Sequence, residues 1–352
     1  MMKKYRTWVL IIVGILMLFI GINAAIWKLF AEDILTFKKY YNGGLDRMGY
    51  IVGSKHYRKP EFTLPRKHIE NAEYRGQRVD VITIGDSFSN VKDNGRDPLY
   101  QDWIASMHNL EVLNIQPLQG ATELSTVVIL LNSGYLDKVK PRLIIVETVE
   151  RDCVGKYQGR LDLQMKRPLR EIEDYFRTAS FRSSPPEVGF LNAGNFKFIL
   201  NSILYRFSDH AFFSTVYARD LDAPFFSVKN DRRLLFYRDD IRSIPHATNQ
   251  SIRSLNDNLN SVAELLRLKG ITLYFMPAAD KYDMYSDYIV ANPYPKSVFF
   301  ELLRELPKRY VFVDTKAILT EELRKGEKDI YYADDTHWSW KAVKRIAESV
   351  KF

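Results

Sequence analysis

Short apolar segments alternate with amphipathic ones along most of this chain. Five of them are rich in Val, Ile, Leu and Phe, which is typical of parallel strands buried on both faces. They lie at 79–84, 110–115, 143–149, 271–276 and 310–313. Between them, apolar residues recur every three or four positions, and this spacing predicts helices at 98–108, 122–133, 251–268 and 339–350. The order predicts an α/β fold with a three-layer, doubly wound parallel sheet, which binds ligands at the carboxyl ends of its strands.

A long segment separates the third and fourth predicted strands. It runs from 155 to about 249, is rich in aromatic residues and contains a helical pattern at 195–207. A structureless loop of that length is implausible in a compact domain, so we predict an inserted cap. Two roles stay open for it, shaping a substrate groove or only stabilising the sheet.

The first apolar segment has the length of a membrane span. Residues 7–27 carry no charge, and a helix of that length spans about 30 Å, the thickness of a hydrocarbon core. Lys3, Lys4 and Arg6 precede it, which predicts a cytoplasmic tail at 1–6 and a single-pass anchor with the remaining chain outside the cytoplasm. A cleaved signal peptide is the alternative, but the length of the apolar run favours an uncleaved anchor.

The remaining chain divides into two parts. Residues 28–78 contain Gly, Pro and many basic residues without a clear period, and they predict a juxtamembrane connector. The catalytic domain is predicted at 79–352, with the insertion inside it.

Charge and cysteine content exclude several classes of protein. Half of the net charge of +8 comes from Lys3, Lys4, Arg6 and Lys28, so the exported part is only mildly basic and no nucleic-acid partner is predicted. The single cysteine, Cys153, excludes an internal disulfide and is expected to be a buried apolar residue. The six histidines lack metal-ligand spacing and no Gly-rich phosphate loop is present, so we predict neither metal nor cofactor.

Two separated motifs predict a nucleophilic serine. The first predicted strand runs directly into Gly-Asp-Ser at 85–87, and Ser87 needs an adjacent base to act as a nucleophile. Near the other end of the chain, His337 follows two acids and precedes the last predicted helix. An acid two or three positions before a histidine can orient its imidazole, and both Asp335 and Asp334 satisfy this spacing.

These motifs resemble those of the SGNH, or GDSL, hydrolase superfamily. Gly-Asp-Ser-Phe-Ser at 85–89 resembles its first block, and Asp-Thr-His-Trp at 335–338 is similar to the periplasmic alginate O-acetyltransferases. The resemblance covers 79–352 outside the insertion and implies a triad of Ser87, His337 and Asp335 rather than Asp334. The serine precedes the Asp-x-His pair here, an order more similar to ordinary GDSL esterases and the teichoic-acid D-alanyl transfer protein.

The same resemblance implies where an oxyanion would bind. The amides of Ser87 and Gly120 are the expected donors, since Gln-Gly-Ala-Thr at 119–122 resembles the second block. The third block, Gly-x-Asn-Asp, has no counterpart after Val146, where Glu147 and Glu150 lie. One missing donor typically costs about 100-fold or more in rate, so slow or absent chemistry stays an alternative.

Four further residues are candidates for contacting substrate, Arg151, Lys281, Tyr282 and Trp338. Arg151 can clamp an anionic group or form a structural ion pair with a glutamate at 147 or 150. Lys281 and Tyr282 match a Lys-Tyr element that the family implies, and they can line the groove or form a solvated strand end. Trp338 can contact a sugar or pack so as to orient the histidine.

The resemblance implies a membrane-anchored O-acetyltransferase in the cell inner membrane, with its domain in the periplasm. It would pass an acetyl group through a serine acyl-enzyme onto hydroxyls of an extracytoplasmic polysaccharide. An exported enzyme has no access to cytoplasmic acetyl-CoA, so the expected donor is a polytopic membrane O-acyltransferase held close by the anchor. The alternatives are an SGNH carbohydrate esterase, and a catalytically degenerate scaffold for polysaccharide binding or export.

Overall fold

A six-stranded parallel sheet forms the centre of the protein. The computed structural model describes residues 2–36, 43–53, 63–90, 98–179, 189–192, 194–212 and 214–352. The strands are β1 (Ile69–Glu70), β2 (Val81–Ile84), β3 (Val112–Ile115), β4 (Leu143–Val149), β5 (Val216–Asp220), β6 (Arg233–Tyr237), β7 (Thr272–Ala278) and β8 (Val311–Phe312). The large sheet has the order β1-β3-β2-β4-β7-β8, with every pairing parallel, and β5 and β6 form a separate antiparallel hairpin.

Helices precede, connect and follow these strands in the described part of the chain. They are α1 (Met2–Ile26), α2 (Glu32–Leu35), α3 (Gly44–Gly49), α4 (Ser87–Asn90), α5 (Tyr100–His108), α6 (Glu123–Asn132), α7 (Tyr135–Val139), α8 (Glu150–Tyr157), α9 (Leu169–Thr178), α10 (Gly194–Leu204), α11 (Arg238–Arg242), α12 (Asn249–Arg267), α13 (Lys281–Tyr285), α14 (Phe299–Arg304), α15 (Thr315–Arg324) and α16 (Trp340–Ser349). Side-chain caps define where several helices begin. The Thr122 and Thr248 hydroxyls, for example, accept hydrogen bonds from backbone amides of α6 and α12. Every residue of β2, β3 and β4 is buried, as parallel strands covered on both faces require.

The predicted α/β class and its elements are confirmed. All five predicted strands are present in the sheet, and the predicted helices correspond to α5, α6, α12 and α16. The apolar runs predicted these strands because a strand buried on both faces carries apolar residues at successive positions, without alternating polar ones.

The described part of the insertion is packed, as expected for a cap. It contains α9, α10, the β5–β6 hairpin and α11, while residues 180–188, 193 and 213 lie outside the described ranges. Ile172 and Phe176 on α9 and Phe236 on β6 are buried in the main core. The hairpin is an element that the sequence patterns did not predict.

Segments of the predicted connector at 28–78 also pack on the domain. β1 adds an edge strand beside β3, and Leu45 on α3 is buried against Val216 and Leu235 of the hairpin. Residues 37–42 and 54–62 of this connector lie outside the described part of the chain.

The N-terminal apolar segment is one long helix. α1 continues through a π-helical turn at Trp27–Ala31 into α2. The stretch Lys4–Ala31 is long and apolar enough to cross a membrane, which fits a single-pass anchor.

Candidate active site

The turn after β2 places Ser87 at the carboxyl edge of the sheet. Gly85 is required there because a β-carbon would overlap the Ser89 hydroxyl and the Glu147 carboxyl group. The Asp86 carboxylate accepts hydrogen bonds from the amides of Phe88, at 2.9 Å, and Val149, at 2.8 Å. This residue therefore ties the serine turn to the end of β4, so that Ser87 begins α4 in a fixed position.

The three residues of the predicted triad lie in one hydrogen-bonded chain. His337 Nε2 is 2.9 Å from Ser87 Oγ, and His337 Nδ1 is 2.8 Å from Asp335 Oδ1. A carboxylate accepting from Nδ1–H leaves Nε2 free to accept the serine proton. Asp335 and His337 are buried while Ser87 is half-buried, so Ser87 Oγ lies at the accessible end of this series of hydrogen bonds. The structure brings the three together in this arrangement, and their catalytic roles stay a prediction.

Asp334, the alternative acid, has a different set of partners. Its carboxylate accepts a hydrogen bond from the Gly43 amide at 3.1 Å, and its carbonyl oxygen accepts from the amides of Leu45, at 3.1 Å, and Asp46, at 3.3 Å. It therefore binds the start of α3, and the carboxylate that contacts the imidazole belongs to Asp335.

Lys281 supports the loop that carries the acid and the histidine. Its ammonium group is fully buried and donates to the carbonyl oxygens of Tyr332, Ala333 and Asp335, at 2.7, 3.0 and 2.9 Å. Burial lowers the pKa of Lys281 to about 7, and the nearby Asp334 and Asp335 carboxylates oppose that shift only in part. The expectation of a groove-lining or solvated lysine is wrong, because α13 follows β7 directly and carries this side chain beneath the loop.

Trp338 and Tyr282 are also buried. Trp338 packs edge-on against Phe88, with ring centroids 5.0 Å apart, and the Phe88 ring lies 4.6 Å from the imidazole of His337. This contact is the packing role that the sequence left open for Trp338. The Tyr282 hydroxyl donates to the Pro295 carbonyl oxygen at 2.9 Å, so Tyr282 does not form a solvated strand end.

Arg151 forms a structural ion pair, but its predicted partners are wrong. Its Nη1 lies 2.6 Å from Asp280 Oδ1 and 3.2 Å from Asp240 Oδ1, rather than on Glu147 or Glu150. Asp280 follows β7 and Asp240 lies on α11 of the insertion. The guanidinium therefore joins the ends of two central strands to the cap. Spacing along one strand end could not predict partners that the fold brings from distant segments.

A buried polar network beneath the serine was missed. Ser89 donates to Glu147 Oε2 at 2.6 Å and lies 2.9 Å from the Tyr100 hydroxyl. Burial, reinforced by the charge of Asp86, raises the pKa of Glu147 well above its usual value. The environment under the turn therefore favours the neutral form of this carboxyl group. Its signal in the sequence was an acid interrupting an otherwise apolar strand.

Gly120 lies in an exposed turn after β3, with a φ of +73° that favours glycine. Among the hydrogen bonds of the described residues, none joins this turn to Ser87 or His337. Residues 91–97, which follow α4, are outside the described ranges. The assignment of the Ser87 and Gly120 amides as oxyanion donors stays a prediction.

A separate cavity lies beside the hairpin. It has a volume of about 690 Å³, and its lining includes Tyr50, Tyr205, Arg206 and Arg233 but no residue of the predicted triad. Within the described ranges, no group of three or more His, Cys, Asp or Glu side chains is arranged to hold a metal ion.

Comparison with known proteins supports the resemblance read from the motifs. Residues 214–351 match the family model described as the SGNH hydrolase-like domain of acetyltransferase AlgX. The matched segment contains Lys281, Asp335 and His337, whereas Ser87 lies outside it. No curated protein matches the chain. The match confirms the expected likeness to the SGNH and alginate acetyltransferase group, and it supports SGNH-type esterase or acyltransferase chemistry.

Proposed function

We propose that this chain is a membrane-anchored O-acetyltransferase that acts on an extracytoplasmic polysaccharide through an acetyl-Ser87 intermediate. The observation that carries the proposal is the hydrogen-bonded chain from Ser87 Oγ through His337 to Asp335, with links of 2.9 and 2.8 Å. The match of residues 214–351 to an acetyltransferase domain supports transfer as the reaction.

In the first half of the reaction, the serine takes the acetyl group from a donor ester. His337 Nε2 accepts the Ser87 proton as Oγ attacks the acetyl carbonyl carbon, and the imidazolium that forms is stabilised by the Asp335 carboxylate. The tetrahedral intermediate then collapses, the bond to the donor oxygen breaks, and His337 returns the proton to that leaving oxygen. The amides of Ser87 and Gly120 are the proposed donors to the oxyanion.

In the second half, the acceptor replaces the donor. A sugar hydroxyl gives its proton to His337 Nε2 and attacks the acetyl carbon. Collapse of this second intermediate breaks the bond to Ser87 Oγ, which recovers its proton from the histidine. If water occupies the acceptor position instead, the same steps release acetate, so the outcome depends on whether the groove admits a sugar and excludes water.

The supporting contacts suit a preorganised site. The three hydrogen bonds of Lys281 hold the loop with Asp335 and His337, and the rings of Phe88 and Trp338 limit movement of the imidazole. A fixed base costs little reorganisation when charge develops in the transition state.

We further propose that α1 anchors the enzyme in the inner membrane, with residues 1–6 in the cytoplasm, 7–27 in the bilayer and the domain at 79–352 in the periplasm. The uncharged length of the helix and the basic residues before it support this topology. The proposed donor is a polytopic membrane O-acyltransferase that passes acetyl groups outward, and a shared membrane would raise its effective concentration.

A product assay tests the function. Full-length protein is incubated with an acetyl ester and mixed surface oligosaccharides, and mass spectrometry follows the acetyl group. Ser87→Ala is compared with Ser261→Ala, which removes an exposed hydroxyl on α12. Acetylated sugar that is lost only in Ser87→Ala supports transfer. Acetate without acetylated sugar, again lost only in Ser87→Ala, would make the protein an esterase. If neither product depends on Ser87, the triad is contradicted and the scaffold alternative is favoured.

A further inference from the structure

Helix α10 presents an apolar stripe that the other described parts of the chain leave partly exposed. The exposed side chains of this stripe recur at helical spacing, Phe196, Ile199, Leu200 and Ile203. Phe190 and Leu191 before the helix are also exposed, and Phe207 and Phe212 after it are 86% and 82% exposed. A contiguous apolar patch of this kind marks a surface that contacts something other than water.

α10 also packs on the apolar N-terminal helix, and Phe196 at the edge of the stripe takes part in this contact. Phe196 stacks on Phe19, with ring centroids 5.9 Å apart, and Phe198 is buried in a cluster with Ala31 and Ile34. The exposed stripe is therefore continuous with the apolar surface of α1.

Polar groups at this contact satisfy one another. Asn195 Nδ2 donates to Asn23 Oδ1 at 3.2 Å and to the Phe190 carbonyl oxygen at 2.6 Å, and Asn23 Nδ2 donates to the Phe19 carbonyl oxygen at 3.1 Å. Asn192 Nδ2 donates to Asn195 Oδ1 at 3.0 Å. Both Asn23 and Asn195 are fully buried. Because lipid offers no water as a hydrogen-bond partner, the polar groups of a turn and of a buried side chain must bond to one another in a membrane, as these groups do.

The position of this contact along α1 shows how far inside the membrane-spanning segment it would lie. Phe19 lies eight residues before Trp27, the end of the uncharged run. At 1.5 Å per residue, the start of α10 lies about 12 Å inside the apolar segment. The basic side chain in this part of the helix, Lys197, extends over the Tyr50 ring at 4.9 Å and is not part of the stripe.

We propose that α10 (Gly194–Leu204) is a second membrane-embedded element, a helix that enters the outer leaflet beside the anchor and lays its apolar stripe against lipid acyl chains. The inference rests on the proposed anchoring by α1 but not on acetyl transfer. Two contacts with the bilayer fix the orientation of the domain above it, whereas a single helix would leave the domain free to rotate. Lipid is the proposed contact because the start of the stripe lies beside the apolar part of α1 and continues its surface.

Fluorescence quenching tests the embedded helix in the full-length protein. Cysteines replace Ile199 or Ile203 on the stripe, Leu16 on α1, and Leu268, an exposed leucine between α12 and β7. Each variant carries a bimane label and is reconstituted into vesicles whose lipids have brominated acyl chains. The native Cys153 is buried, and unsubstituted protein measures any label that it takes up.

The proposal expects labels at Ile199 and Ile203 to be quenched to an extent similar to that at Leu16, while the label at Leu268 is unaffected. Quenching at Leu16 with none on the stripe overturns the embedded helix and leaves the anchor intact. Stripe labels shielded from both brominated lipid and aqueous iodide would show a protein partner on this face, which also overturns the proposal. Absence of quenching at Leu16 would contradict the proposed anchor, and the embedded helix, which depends on it, would be contradicted as well.

Discussion

The two adjacent aspartates before the histidine allow a matched test of the site. Asp335→Asn keeps the size and shape of the side chain, although one atom, Asp335 Oδ1, is the partner of both the His337 amide, at 3.3 Å, and Nδ1, at 2.8 Å. The new side chain can, however, turn its NH2 group toward Nδ1, which lies 2.8 Å from the carboxylate in the native chain. The proton then moves to Nε2, which can no longer accept one from Ser87. Loss of the correct tautomer costs roughly 10³–10⁴-fold in rate, equivalent to about 4–5.5 kcal/mol in the barrier.

Asp334→Asn is the control, because its carboxylate binds the Gly43 amide instead of the imidazole. An amide oxygen can accept the same hydrogen bond, so we expect a change of about threefold or less in rate, near 0.6 kcal/mol. Release of acetate from a chromogenic ester measures both variants, and thermal unfolding checks that each is folded. Equal losses in the two variants, or a larger loss in Asp334→Asn, would refute the assignment of the acid.

Three stability predictions follow, each measured by denaturant unfolding of the full-length protein in detergent. Because burial lowers the pKa of Lys281 to about 7 from 10.5 in the unfolded chain, the unfolded chain binds more protons between these values. Stability should rise with pH across this window, and Lys281→Met should lack the rise; an identical pH dependence in both proteins would contradict the shift. The raised pKa of Glu147 favours a neutral carboxyl group, which Gln resembles in shape, so Glu147→Gln should cost less than about 1.5 kcal/mol; a cost equal to that of Glu147→Ala would show that the charge matters. Arg151→Met leaves the buried carboxylates of Asp240 and Asp280 without their cationic partner and should lower the free energy of unfolding by about 3–5 kcal/mol. No measurable loss of stability would exclude this ion pair as a support of the cap.

The elements of the sheet were predictable because their signal is local. Strands β2, β3 and β4 are buried throughout, so their apolar runs stand out against the polar starts of the helices that follow. The residues of the predicted triad were recognisable for a related reason, since Ser87 follows such a run within three residues and His337 lies three residues before a helix.

The partners of buried polar residues were not predictable, because distant segments supply them. Arg151 binds acids that follow it by 89 and 129 positions in the chain, and Lys281 binds carbonyl groups of a loop more than 50 residues away. Spacing cannot assign such contacts. The two-residue edge strand β1 and the β5–β6 hairpin were missed because neither has a long apolar run to mark it.

The choice between Asp334 and Asp335 shows the same limit. Both have acceptable spacing before His337, and the resemblance alone favoured Asp335. The difference in the structure comes from α3, whose first residues take the side chain and carbonyl oxygen of Asp334. Residues 43–49 lie in the predicted connector, a segment without a pattern that would link it to the site.

In the proposed reaction Ser87 carries an acetyl group. Rapid quenching of the full-length protein with an isotopically labelled acetyl ester, followed by mass mapping of its peptides, tests this step. We expect a labelled acetyl group on Ser87 that is absent in Ser87→Ala, and that disappears as an oligosaccharide acceptor gains the label. Product formed without label on Ser87, or label found on other residues alone, would contradict it.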